Sequence, residues 1–473
     1  MTSARPGTAA DVGPAPRVKP VLDARFRPAV LAIRQMEAEG SRSRKAASVW
    51  VALEQPGGSV SHHAIWVLPE GHPASLRSYR TCERLLKFLL WARGASRIYV
   101  DAPADLVEAL RHRYAREPAG IFDAQMMGPE IYGRAFEVVA TRREAFPAPG
   151  MASTRLGGHL LGCRIGFDLG ASDRKVAAVV DGRTTFSEEL PWDPAGHADP
   201  QWHFDQIMLS LRRAAAHLPR VDAIGGSAAG VYVDGEVRVS SLFRGVPRPE
   251  FDRRIRGLFR ELQHAWNDIP FVVVNDGEVA ALAGSMAAGV GGLLGIAMGS
   301  SLAAGYVTRA GAITSWLNEL AFAPVDVSVD APVDEWSGDR GCGVQYLSQQ
   351  AVGRLLPAAG IAVDDAMTLP DRLVALQSLM DRGDPRAASV YQTIGVYLGY
   401  ALLQYHAFYD FGHVLVLGRV MTGAGGDVVV EHAQAVLRAE DSSAGDNVSF
   451  HTMSERDKRH GQAVAAASLP SLA

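Results

Sequence analysis

The sequence predicts an α/β fold with its ligand chemistry at strand ends, and three short segments carry that prediction. Ile165-Gly166-Phe167-Asp168-Leu169-Gly170-Ala171-Ser172 and Gly295-Ile296-Ala297-Met298-Gly299-Ser300-Ser301 each read as an apolar strand running into a turn of small residues. In such turns backbone N–H groups can converge on a phosphate. Between them the run Phe271-Val272-Val273-Val274 leads into Asn275-Asp276-Gly277. Asp276 should therefore emerge at a strand end, where α/β proteins place ligands.

The other elements follow in chain order. Residues 1–22 are rich in Ala, Pro and Gly and lack the apolar core of a secretory signal, so a disordered leader is expected there. Residues 26–39 read as a helix leading to the basic cluster Ser41-Arg42-Ser43-Arg44-Lys45. The apolar runs 46–53 and 59–68 flank Gln55-Pro56-Gly57-Gly58, the pattern of a β-hairpin. A helix over 75–93, a strand over 96–100 and a helix over 103–115 complete an N-terminal α/β domain, 23–150. A linker is expected over 151–163. Residues 279–308 carry no charge, yet their seven glycines split them into a helix and two strands rather than a membrane span. The aromatic-rich stretch 397–411 reads as a core helix.

The order and spacing of the three segments resemble the ROK family (repressors, open reading frames and sugar kinases) of the actin and hexokinase superfamily. Ala223-Ile224-Gly225-Gly226-Ser227-Ala228-Ala229-Gly230 stands where that family has a Pro-Gly turn, and Asn275-Asp276-Gly277-Glu278 where it has an Asn-Asp pair. Asn318-Glu319-Leu320-Ala321-Phe322 replaces its Gly-Glu-x-Gly-His, and Ser337-Gly338-Asp339-Arg340-Gly341-Cys342-Gly343-Val344 its Cys-Gly-x-Arg-Gly-Cys-x-Glu. Val414 to Met421 with Gly425-Gly426-Asp427 matches its late nucleotide segment. The resemblance implies a two-lobed actin/hexokinase-like, RNase H-like fold, with lobes at 164–270 and 271–473 and the last helix returning to the first lobe. It also makes 23–150 the outline of a degenerate third RNase H-like lobe.

The resemblance further implies ATP-dependent phosphoryl transfer to a hydroxyl of a sugar or polyol. Asp276 would be the base, and Asn275, Glu319, Gly230 and Ser241 would contact the acceptor. Asp168 would hold Mg²⁺ through water. Gly170, Ala171, Ser172, Lys175, Gly299, Ser300, Ser301, Gly418, Arg419 and Gly425 would line the nucleotide. Departures are also plain. The structural zinc of the family needs one His and three Cys, but Phe322, the stretch Asp334-Glu335-Trp336 and Ser337 stand at three of those places and only Cys342 survives. No zinc is expected. Val344 and Ser241 replace further acceptor contacts, Asp173 puts a carboxylate beside the first loop, and Arg419 replaces a Gly.

Composition agrees with an ordinary globular protein. Of 473 residues 48% are hydrophobic and 21% charged, and the net charge of −4 gives no general attraction for nucleic acid. Three cysteines argue against a disulfide framework and for a cytoplasmic protein. A homodimer is implied by the resemblance. Two alternatives stand beside the kinase: an inactive pseudokinase that binds sugar or nucleotide or acts as a regulator, and a DNA-binding ROK repressor. Against the repressor, the chain passes from the basic cluster straight into a strand, with no recognition helix before the hairpin.

Overall fold

The computed structural model describes residues 13–43, 46–69, 71–151 and 156–452, the backbone of 455–472, and the side chains of that last stretch from 461 onward. The basic pair Arg44-Lys45 therefore lies outside the described residues. The N-terminal region contains helix α1 (Ala29–Arg42), the hairpin β1 (Ala47–Glu54) and β2 (Val60–Val67), helix α2 (Ser75–Arg93), strand β3 (Arg97–Asp101), helices α3 (Ala104–Arg116) and α4 (Pro118–Gln125), and strand β4 (Glu137–Ala140). A π-helical turn, Met126–Glu130, extends α4. The hairpin, both central helices and β3 lie where residue patterning puts them. The strand order is β2-β1-β3-β4.

The first lobe is built from β5 (Cys163–Leu169), β6 (Asp173–Val180), β7 (Arg183–Pro191), α5 (Pro200–Ala215), β8 (Ala223–Ala228), the small hairpin β9 (Val231–Val233) and β10 (Glu236–Val239), the single turn α6 (Arg248–Glu250), α7 (Leu258–Ala265) and β11 (Phe271–Asn275). Its sheet has the order β11-β8-β5-β6-β7. Strands β5, β6 and β7 form an antiparallel meander, while β8 and β11 run parallel to β5. The N-terminal sheet lacks this feature, since its first strand pairs antiparallel with both neighbours.

The second lobe continues through α8 (Asp276–Ala288), β12 (Leu293–Met298), β13 (Leu302–Val307), α9 (Gln349–Ala358), α10 (Leu369–Asp381), α11 (Pro385–His406), β14 (His413–Leu417), α12 (Ala424–Glu440), α13 (Ser442–Asn447), β15 (Ser449–His451) and α14 (Glu455–Ala467). Its sheet has the order β13-β12-β14-β15. The uncharged stretch is α8, β12 and β13, and among the described residues no helix is long and apolar enough to cross a membrane. Tyr391, Tyr397, Tyr400 and Tyr405 bury the aromatic face of α11.

Helix α14 returns to the first lobe. A Cβ at Gly166 would come within 1.7 Å of the Ala463 carbonyl oxygen, and one at Gly225 within 1.7 Å of that of Ala466. Only glycine lets the helix backbone lie this close to β5 and β8.

The N-terminal region does not pack apart from the second lobe. Residues Leu85 to Arg93 of α2 are all buried, as expected of a helix enclosed on every side. Phe88 meets Phe408 at 5.0 Å, and Trp91 lies on Phe322 at 4.3 Å between ring centroids. The leader expected over 1–22 is corrected from residue 13 onward. The Val18 N–H donates to the Tyr400 hydroxyl, and the Leu22 N–H to the Thr393 hydroxyl. Both side chains pack against the apolar core, which outweighs the Pro- and Gly-rich composition. Residues 1–12 lie outside the described residues.

Candidate active site

Parallel pairing of β5, β8 and β11 brings their C-terminal ends into one row. Asp168 sits opposite Ser227 on β8, and Ser227 opposite Val274 on β11, one residue before Asn275. Ser227 Oγ donates to Asp168 Oδ1 at 2.6 Å, and Lys175 Nζ lies 3.9 Å from Asp168 Oδ2. Burial pushes the Asp168 carboxyl up to about 6; Ser227 and Lys175 oppose this, and the charge of Asp276 adds to it. Lys175 also pairs with Asp173 at 3.3 Å, so the carboxylate beside the first loop is offset by the lysine expected near it. The Ser172 hydroxyl is tied to Asp173 at 3.1 Å.

Asn275 caps α8, accepting from the Gly277 N–H at 2.8 Å, while its Nδ2 donates to the Gly230 carbonyl at 2.8 Å. One amide hydrogen and one lone pair are thus committed to the protein, and one of each has no partner among the described residues. Gly230 has φ of 133°, and a Cβ there would come within 2.4 Å of the Val239 carbonyl oxygen, so the turn requires glycine. Ser241 is exposed, while its neighbour Ser240 donates to the Ala229 carbonyl at 2.6 Å.

Asp276 opens α8, half-buried, with Oδ1 accepting from the Gly277 N–H at 3.0 Å. Burial raises its carboxyl above the usual range, against the pull of the helix N-terminal N–H groups. Glu319 faces the same space: burial and then the Asp276 charge push it up to about 7. Its backbone is fixed from outside the two lobes. The N–H groups of Leu317, Asn318 and Glu319 donate to the carbonyls of Arg93, Ala92 and Trp91, at 3.3, 3.1 and 3.0 Å. These are last-turn carbonyls of α2, which have no partner within their own helix. The N-terminal region thereby sets the position of Glu319.

A further carboxylate, Glu278, escaped the sequence reading. It is buried, accepts from Asn318 Nδ2 at 3.2 Å, and is pushed up to about 8 by burial, with Glu319 adding to the rise. The available signal was its place as the last charge before the uncharged stretch. Because the folded protein holds this proton more tightly than the unfolded chain, the associated stability is complete below about pH 4.5 and is lost as pH rises towards 8. Glu278→Gln keeps the acceptor and cannot ionise. Urea unfolding should find it equal to wild type near about pH 5 and more stable near about pH 8.5, by on the order of 1–3 kcal/mol. Equal stability at both values would contradict the buried-acid reading.

The remaining nucleotide candidates lie at the end of the second sheet. Ala297 of β12 pairs with Leu417 of β14, which brings Gly418 level with Met298, one residue before Gly299. Gly418 has φ of 101°, and a Cβ there would come within 2.4 Å of the Met298 carbonyl oxygen. Ser300, Ser301 and Arg419 are exposed, as are Ala171 and Ser172 of the first loop. Gly425 lies in the first turn of α12, where a Cβ would strike the Tyr391 ring.

The donors at the family's zinc positions do not fit zinc. Ser337 donates through both N–H and Oγ to Asp334, its Oγ lies 3.8 Å from Cys342 Sγ, and burial pushes the Cys342 thiol up to about 12. Phe322 is packed on Trp91. Among the described residues no group of three or more His, Cys, Asp or Glu could hold a metal ion. Elemental analysis of purified protein should find less than stoichiometric zinc; one zinc per chain would overturn this.

The segment is tied instead to the N-terminal region through Asp339. Its carboxylate meets Arg84 at 3.0 Å, Lys87 at 2.8 Å and Arg113 at 3.2 Å, and Lys87 also meets Asp123 at 3.0 Å. Burial raises Asp339, but Arg84 and Lys87 outweigh it and hold the carboxyl well below its ordinary value. Burial would lower Lys87, yet the carboxylates of Asp123 and Asp339 keep its ammonium charged.

No protein-family model and no curated protein matches the chain. Solved structures do. A ROK hexokinase from Thermus thermophilus aligns with a TM-score of 0.50 and 20% identity, over 64% of this chain and 97% of that one. A ROK family transcriptional regulator, described as a homolog of the E. coli MLC protein, aligns with a TM-score of 0.51 and 18% identity, over 66% of this chain and 79% of that one. With both lobes, the strand-end row of Asp168, Asn275 and Asp276, and these alignments in hand, the chain shares the fold of these ROK structures and carries an added N-terminal region.

Proposed function

We propose that the cleft transfers the terminal phosphoryl group of ATP to a hydroxyl of a sugar or sugar-like polyol. The observation that carries this reading is the placement of Asp276 at the N-terminus of α8, directly after the end of β11 and in the strand-end row with Asp168 and Asn275, where its charge reaches Glu319. Asp276 accepts the hydroxyl proton as transfer proceeds, and Glu319 with the remaining amide hydrogen of Asn275 holds neighbouring hydroxyls. The turns at Gly170–Ser172 and Gly299–Ser301, with Lys175, Gly418, Arg419 and Gly425, hold the nucleotide. Asp168 would hold Mg²⁺ through water, and the ion when bound would neutralise phosphate charge. A homodimer belongs to the same proposal.

The tie of Ser172 to Asp173 favours a second reading, a pseudokinase that binds acceptor without transfer, because it engages the hydroxyl of the first phosphate loop. ADP release with Mg·ATP across hexoses, N-acyl hexosamines and polyols decides between them. Release that depends on one acceptor and disappears in Asp276→Asn supports the kinase. No release above the mutant's background with any acceptor supports the pseudokinase.

A further inference from the structure

A cavity of about 570 Å³ lies between the N-terminal region and the first lobe, of a size that suits a small-molecule ligand. Phe122 and the turn after α4 form one wall, and β10 with the segment after it forms the other, from Arg238 to Phe251. Trp336, from the segment that lacks zinc ligands, stands at its edge with 72% of its surface exposed.

Three arginines line it. Arg238 is paired with Glu236 at 2.9 Å but leaves a buried Nε without a partner, and Arg248 is paired with Glu130 at 3.0 Å and Asp252 at 2.9 Å. Arg244 is exposed, and no ion pair to it is found among the described residues. Glu130 is the single acidic side chain of the lining, and Arg244 is the arginine there with no ion pair among the described residues. Phe122, Phe243 and Phe251 give the cavity apolar walls.

The cavity adjoins the acceptor side of the cleft on two edges. Ser240 in its wall precedes Ser241 and is bonded to Ala229, next to the Gly230 that Asn275 holds. Phe122 packs on Phe322 at 5.5 Å, and the Phe322 N–H donates to the Glu319 carbonyl.

We propose that this cavity is a subsite for an anionic substituent of the acceptor, so that the protein's ligand is a sugar carrying a phosphate ester or a carboxylate rather than a neutral hexose. Arginine suits this role, because its planar fork matches both anions. Arg244 supplies the unpaired charge, and Trp336 offers a ring face to the sugar. The inference rests on the acceptor reading of the cleft, but it is tested by binding alone.

Calorimetric titration of the full chain, without nucleotide, compares glucose, glucose 6-phosphate and glucuronate. At least one anionic sugar should bind about tenfold or more tighter than glucose, and Arg244→Ala should remove most of that advantage while leaving glucose unchanged. Preference for glucose 6-phosphate assigns a phosphate and preference for glucuronate a carboxylate. Equal binding of neutral and anionic sugars, or an advantage that survives Arg244→Ala, overturns the subsite. Arg244-dependent binding without any ADP release would sink the kinase reading and keep the subsite. Release on neutral hexoses with no anionic preference would do the reverse.

Discussion

Asp276→Asn should lower phosphoryl transfer by about 10² to 10⁴ while leaving ATP affinity nearly unchanged. Asparagine keeps the shape of the side chain and can still accept from the Gly277 N–H, so α8 retains its start and the strand-end row retains its geometry. What the substitution removes is the ability to take a proton. Asp276 is suited to that task because burial raises its carboxyl towards neutrality while Asp168 and Glu319, close enough to sense its charge, are held up to about 6 and about 7. Pre-steady-state ADP formation gives the rate, and calorimetry with ATP gives the affinity. A mutant that turns over as fast as wild type would show that the base is elsewhere. A mutant that loses nucleotide binding as well would show that Asp276 holds the phosphate side, not the acceptor.

The strand-end chemistry was legible because it is local. An apolar run ending in Asp-Leu-Gly-Ala or Asn-Asp-Gly declares both a strand and what stands at its tip, and the structure puts Asp168 and Asn275 near the ends of β5 and β11, on either side of β8, with Asp276 opening α8 directly after Asn275. The glycines at 166 and 225 were visible as residues but not as a reason, since the helix that needs them lies some three hundred and two hundred and forty residues further on, at Ala463 and Ala466. What the N-terminal region does for the site was invisible for the same reason. Nothing in Trp91-Ala92-Arg93 announces that their carbonyls will receive the N–H groups of residues 317–319. Lys87 inside an apolar helix could have raised the question, because a buried ammonium needs a partner, but the sequence does not say that Asp123 and Asp339 supply it.

That dependence leads to the largest expected loss of stability. Asp339→Ala should cost about 3–5 kcal/mol, the range for breaking a buried ion pair by removing one partner. Three cations of the N-terminal region converge on this carboxylate, and Lys87 is fully buried. With the carboxylate gone, Asp123 can still neutralise Lys87, but Arg84 and Arg113 keep only Glu83 and Glu117. Arginine cannot shed its proton to escape the low-dielectric site. Lys87→Met should cost less, because Asp339 keeps its arginines and Asp123 can protonate, as burial already favours. The order of the two losses in urea unfolding is therefore informative. A larger loss for Lys87→Met would mean that the lysine, not the carboxylate, is the hub. At temperatures where Asp339→Ala remains folded, limited proteolysis should cut between residues 316 and 343 more readily than in wild type, because Asp339 fastens that segment to α2 and α3. The same variant should raise the acceptor KM more than it lowers kcat, since the bonds from Leu317, Asn318 and Glu319 to α2 fix the Glu319 backbone while Asp276 stands on α8. An unchanged KM in a destabilised protein would separate the ion cluster from the site and leave it a purely structural fastening.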